Sequence, residues 1–257
     1  MVVVVAILLA FITFTLRQHA RFYDKWAEVR FERALISEAY PRMKTGDLIL
    51  FSAAGHDCVM GGLGINELFT HAAVIVNKED PGGVVKPYIS ETMGDGCYLL
   101  REVEKRTGKG GFQMPLLARL KDYPGNLFYM ELDRALDAAT EGAIRRAADR
   151  SLGHPYPSKL GLFLNFLGFR ESAGRRGHSR HCFSHVAAIL NGVGLHPRGA
   201  PISGVGSDIA RAIPRLFRDE LENPARYRRP VSLLYDVDAH RCASCAPPMV
   251  LESRWSC

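Results

Sequence analysis

The sequence predicts an α+β fold, an antiparallel sheet packed against a helix that opens on a cysteine. Three observations lead there. Strand-like apolar runs dominate residues 45–133, an amphipathic helix follows at 136–153, and a second helix, "CFSHVAAILNGVG", begins at Cys182. Strands first and helices after is the order of an α+β chain, not of alternating βα units. The chain has 257 residues, 47% of them hydrophobic and 23% charged, which suffices for one sizeable core. No repeat, heptad run or low-complexity tract breaks it, so one domain over 41–238 is expected, with appendages at both ends.

The N-terminal appendage begins with "VVVVAILLAFITFTL" (2–16), fifteen residues without a charge. As a helix it reaches about 22 Å, against a hydrocarbon core of roughly 30 Å. Arg17 can snorkel, and Phe22, Tyr23 and Trp26 suit an interface. The reading is an uncleaved membrane anchor over 1–17, with lipid as its partner. A cleaved signal peptide fits less well, because no basic stretch precedes the run and "RQHARF" offers no A-x-A site. An interfacial or buried helix is the third alternative. Arg17, Arg21, Lys25, Arg30 and Arg33 follow, which puts the domain on the cytosolic side of a membrane. Residues 18–40 mix apolar and charged positions at helical spacing and read as an amphipathic linker helix.

Within the domain, "TGDLILFS" (45–52) is a strand entered through a Gly-Asp turn. "THAAVIVN" (70–77) is almost continuously apolar, as a strand buried on both faces would be. The Gly-rich stretch 53–69 between them reads as a loop or short helix over a site. "GVVKPYISET" (83–92), "GCYLLREV" (96–103) and "NLFYMELD" (126–133) are further strands. Gly153 is placed to cap the helix 136–153. "KLGLFLNFLGF" (159–169) is apolar, "SAGRRGHSR" after it is a basic loop, and "VSLLYDVD" (231–238) is a closing strand.

Charge and cysteine usage exclude some functions. The net charge of +6 comes from scattered residues, and no nucleic-acid-binding module is visible. Cys58, Cys97, Cys182, Cys242, Cys245 and Cys257 are irregularly spaced in a long chain, so no disulfide framework is implied. "HRCASC" (240–245) with Cys257 lacks the second pair that would make a zinc knuckle convincing, and residues 239–257 read as a tail with thiols.

The stretch "RHCFSHVAAIL" (180–190) carries the chemistry. His178, His181, Cys182 and His185 would share one helix face and suit zinc, but "GRRGHSR" argues against helix before Cys182. No metal or other cofactor is expected. A thiol at a helix start is instead disposed to act as a nucleophile, because the helix dipole and a nearby imidazole both favour thiolate. The backbone N–H groups of that first turn suit an oxyanion. His71, at the head of a buried apolar strand, is the candidate base. Glu91, ending the next strand, is the candidate to fix its tautomer.

These pieces resemble the permuted papain-like NlpC/P60 proteins, including the YiiX/YaeF-type hydrolases, the lecithin-retinol-acyltransferase-like enzymes and their viral homologues. The matching stretches are "GDLILF" (46–51), "THAAVIV" (70–76), "ETMGDG" (91–96), "GHPYP" (153–157) and "CFSHVAAIL" (182–190), spanning about 44–195. The order His, acid, Cys is the circularly permuted one. The resemblance implies that fold, with Cys182 as nucleophile, His71 as base and Glu91 as its orienting residue. Tyr156 falls on the family's tyrosine beside the site. Ser184, His185 and Pro157 depart from the family's Glu, Leu and Asp, and Tyr156, Ser184 and His185 are the candidate substrate contacts. The implied activity is a membrane-anchored cysteine hydrolase or acyltransferase acting on amide, ester or thioester bonds. A cytosolic anchor favours a lipid or lipidated substrate. The alternative is a catalytically weak or inactive membrane-associated structural or binding protein, viral in one reading, that retains the fold.

Overall fold

The computed structural model describes residues 31–52, 69–79, 82–93, 110–121, 123, 125–156, 182–195, 227–228 and 230–234, together with 12–13 and 16–17. The elements run β1 (Glu32–Leu35), α1 (Ile36–Ala39), a 3-10 turn (Tyr40–Arg42), β2 (Leu48–Ser52), β3 (Phe69–Glu79) and β4 (Val85–Met93). They continue with β5 (Gly110–Pro115), α2 (Leu116–Lys121), β6 (Asn126–Met130), α3 (Ala138–Arg150), α4 (Cys182–Asn191) and β7 (Val231–Leu234). The architecture is mixed α+β, a seven-stranded sheet in the order β1-β7-β6-β2-β3-β4-β5 with few helices.

Strand alternation explains the continuous apolar runs. Leu48, Leu50, Ala72, Val74 and Val76 pack with Ile144 and Ala148 of α3 and Val186 and Ile189 of α4. The intervening Ile49, Phe51, Ala73 and Ile75 pack with Ile36 and Ala39 of α1 and Leu116 and Leu120 of α2. Side chains two apart share a face, so a strand covered on both sides must be apolar at every position. β2 and β3 are buried throughout the positions that form these clusters. The helix 136–153 is shorter than its sequence pattern. Asp137 caps it by accepting from the Thr140 N–H at 2.6 Å, and Gly153, at φ +70°, follows its last turn.

The Gly-Asp turn before β2 is a structural joint. Gly46 has φ +96°, and its N–H donates to the Ile75 carbonyl at 2.9 Å. Asp47 is fully buried. Its Oδ2 accepts from Tyr129 Oη at 2.7 Å and from the Lys44 N–H at 2.9 Å, and its Oδ1 accepts from the Leu132 N–H at 2.8 Å. Burial pushes the Asp47 carboxyl above its ordinary range, while these hydrogen bonds pull the other way.

Three expectations need correction. Among the described residues no helix is long and apolar enough to cross a membrane, so neither the anchor over 1–17 nor the membrane localisation is upheld. Apart from 12–13 and 16–17, residues 1–17 lie outside the described residues. Second, the linker helix expected over 18–40 does not extend as one element, because residues 32–35 are a strand. Glu32 and Arg33 are charges on a sheet edge, a pattern that suits an edge strand as well as a helix surface. Third, the sheet is not wholly antiparallel, because β1 pairs with β7 in parallel, Glu32 opposite Val231. The expected strand 96–103, the apolar run 159–169 and the tail 239–257 lie outside the described residues.

Candidate active site

Helix α4 starts at Cys182, so the thiol sits in the first turn, in no disulfide and only 4% exposed. Its ten residues bury Val186, Ile189 and Leu190 against the sheet, which fixes which side of the helix turns inward. His185, one turn on, is fully buried and lies 3.1 Å from Ser90 Oγ through Nε2. Cys182 therefore begins a helix locked to β4 through a polar pair in an otherwise apolar layer.

The imidazole comes from β3. His71 is the third residue of that strand, at the sheet end where pairing with β2 shifts register between Phe51 and Ser52. The ring's Nε2 lies 2.5 Å from Glu91 Oε2. Cys182 lies close enough to His71 for its charge to act on the ring. With Nε2 committed to the carboxylate, Nδ1 is the nitrogen left for the sulfur. His71 is 16% exposed at its side chain and Glu91 is fully enclosed, so the ring keeps a route to solvent that its partner lacks.

Glu91 is held from its other side by Arg119 of α2. Arg119 Nε donates to Oε1 at 2.5 Å and Nη2 to Oε2 at 3.3 Å. The guanidinium lies 4.7 Å from the Phe51 ring centroid and 5.4 Å from that of Tyr123. The Phe51 ring also contacts the His71 ring at 4.9 Å, and Tyr123 is tethered through its hydroxyl to the Ser52 carbonyl at 2.7 Å. Aromatic rings thus wall in the Arg119–Glu91–His71 chain.

Burial of Glu91 opposes its charge, but the Arg119 guanidinium and then the His71 hydrogen bond outweigh it and hold the carboxyl at about 2. Burial likewise opposes charge on His71. The negative charge of Cys182, then the hydrogen bond and charge of Glu91, raise the ring to about 9. The arrangement favours a charged imidazolium at His71, between the Cys182 side chain and the Glu91 carboxylate.

Among the other candidates, Tyr156 is half-buried just beyond the turn that ends α3. Ser184 is the third residue of α4. His185 faces β4 and Ser90 and is fully enclosed. Of the four residues that would share a helix face for a metal, His178 and His181 lie outside the described residues. Cys182 and His185 meet different partners, His71 and Ser90. Among the described residues no three His, Cys, Asp or Glu side chains are grouped to hold a metal ion.

Sequence reasoning missed two features here. Arg119 lies among Leu116 and Leu120 on the buried side of a short helix, and a charged residue on an apolar stripe was the available signal. The other is the pair Gly110–Gly111 of β5, on which the end of α3 rests. A Cβ at Gly111 would meet the Ser151 carbonyl oxygen at 2.1 Å, and one at Gly110 would meet that of His154 at 2.0 Å. The Gly111 N–H donates to the His154 carbonyl at 2.9 Å and the Gly153 N–H to the Gly111 carbonyl at 2.8 Å. Two adjacent glycines let backbone lie on backbone where β5 runs beside Glu91, through the pair Phe112 and Glu91.

No protein-family model matches the chain, and no curated protein matches it. Among solved structures it is similar to one described as the metalloprotein yiiX from Escherichia coli O157:H7, of DUF1105. The two are 15% identical over 74% of this chain and 88% of that one, with a TM-score of 0.42.

Proposed function

We propose that this protein is a thiol-dependent hydrolase or acyltransferase of the permuted papain-like kind, acting on amide, ester or thioester bonds. The observation that carries the proposal is the His71 ring, within electrostatic reach of Cys182 and paired at Nε2 with a Glu91 carboxylate held ionised. In this reading the Cys182 sulfur attacks the carbonyl carbon and the carbonyl electron pair moves to oxygen. Backbone N–H groups in the first turn of α4 receive that oxyanion. As the tetrahedral species collapses, the bond to the leaving group breaks and His71 supplies its proton. Water or a second acceptor then gives a proton to His71, attacks the thioester and releases Cys182 as thiolate. Glu91 holds the ring in place throughout, and Tyr156 and Ser184 belong to the substrate side. The lipid substrate rested on the membrane anchor, and the proposal does not retain it.

A second reading, a binding protein that keeps the fold without turnover, is favoured by the 4% exposure of Cys182. A panel of p-nitrophenyl esters and a thioester, tested with the wild type and Cys182→Ala, separates the two. Turnover of any member that Cys182→Ala abolishes supports the enzyme, whereas equal background rates from both proteins contradict it.

A further inference from the structure

We infer that Arg119 is a positioning residue of the site: by pairing with both oxygens of Glu91, it keeps the enclosed carboxylate charged, so that the imidazolium is held against Cys182. This inference rests on the thiol-nucleophile reading and assigns that site a fourth member. The geometry sets Arg119 apart from an ordinary ion pair. Glu91 Oε2 is shared, taking His71 Nε2 at 2.5 Å and Arg119 Nη2 at 3.3 Å, while Oε1 goes to Arg119 Nε at 2.5 Å. Both partners of the pair are enclosed, with side-chain exposures of 4% and 0%, and Phe51 touches the guanidinium and the imidazole alike.

Four charged groups from four elements then alternate in sign: Arg119 of α2, Glu91 of β4, His71 of β3 and Cys182 of α4. Their sum is zero when the thiolate and imidazolium are both formed. Without Arg119 the same enclosed set carries one net negative charge, and burial makes such a charge costly. The set relieves it by taking up a proton, at Glu91 or at Cys182. The first removes the support of the imidazolium and the second removes the nucleophile, so either outcome weakens the site.

The test is the pH dependence of Cys182 alkylation by iodoacetamide, read peptide by peptide by mass spectrometry in the wild type, Arg119→Met and Arg119→Lys. Wild-type Cys182 is expected to react faster at pH 7 than it does in the denatured chain. In Arg119→Met the pH of half-maximal rate rises by about one unit, which lowers the rate about tenfold at any pH below both midpoints. Arg119→Lys keeps the positive charge but loses the two-nitrogen grip on Glu91 and the ring stacking, and is expected to fall between the wild type and Arg119→Met. If Arg119→Met does not fold, Arg119→Gln, which keeps a hydrogen-bond donor beside Glu91 without the charge, takes its place, and the same upward shift is expected. A wild-type profile from Arg119→Met, or from Arg119→Gln in its place, overturns the role of Arg119 while leaving the nucleophile reading intact. A wild-type Cys182 no faster than in the denatured chain overturns both.

Discussion

Ser90 and Glu91 are neighbours on β4 and point to opposite faces of the sheet. Ser90 Oγ meets His185 Nε2 of α4 at 3.1 Å, and Glu91 Oε2 meets His71 Nε2 at 2.5 Å. One strand therefore holds the helix that carries Cys182 with one residue and the imidazole with the next. Ser90→Ala deletes the hydroxyl from a fully buried hydrogen bond, and is expected to cost about 1–3 kcal/mol in urea unfolding. It should also slow Cys182 alkylation in the folded protein while leaving Glu91 and His71 in place. A loss of stability with unchanged alkylation would make the Ser90–His185 pair a packing feature alone.

Stability should depend on pH in a defined window. His71 is raised from 6.5 to about 9, so its contribution is complete below 6.5 and is lost as pH rises through 9. Glu91 is lowered from 4.5 to about 2, so its contribution is complete above 4.5 and is lost as pH falls through 2. Both are present together between 4.5 and 6.5. Denaturation midpoints followed from acid to alkali should show this plateau. Cys182→Ala removes the leading support of the His71 charge, so its alkaline decline should begin at lower pH. Identical pH profiles for the two proteins would contradict the Cys182–His71 coupling.

The glycines on β5 and after α3 should respond differently to the same change. At Gly111 a Cβ would meet the Ser151 carbonyl oxygen at 2.1 Å, whereas at Gly153 it would meet nothing within 4 Å. Gly153→Ala bears only the left-handed backbone cost, about 1–2 kcal/mol. Gly111→Ala must push α3 off the sheet and is expected to cost more than about 3 kcal/mol or to prevent folding. Urea unfolding of both variants checks the order.

Asp47 separates a structural carboxylate from the one in the site. Both of its oxygens accept from donors, so an amide there must turn its NH₂ toward another donor. Asp47→Asn should lose about 2–4 kcal/mol of stability. At temperatures where it remains folded, its Cys182 alkylation rate should equal that of the wild type. Slower alkylation in folded Asp47→Asn would tie the joint before β2 to the chemistry.

Much of the frame was legible because periodicity reports burial. β2 is apolar from Leu48 to Phe51 and β3 from Ala72 to Val76, and α3 has a capping Asp137 before it and Gly153 after it. The remaining elements were hidden for physical reasons. β1 is four residues of "ERAL", composition that suits a helix, and it becomes a strand only through a partner about two hundred positions away in β7. β5, "GGFQMP", carries glycines and a proline that depress strand propensity, yet backbone packing under α3 requires the glycines. In the site, His71, Glu91 and Cys182 stood out because each is polar at the end or start of an apolar element. Arg119 did not, since a single arginine in a six-residue helix reads as a solvated charge until Glu91 is seen beside it.

The central claim is that His71 makes Cys182 a thiolate. The most direct measurement compares iodoacetamide alkylation at neutral pH across the cysteines of the folded protein, in the wild type and in His71→Ala. The account predicts that Cys182 is the fastest of the six despite its burial, and that His71→Ala slows it about tenfold or more with the other five unchanged. Cys182 reacting no faster than Cys58 or Cys97, or at an unaltered rate in folded His71→Ala, would contradict it.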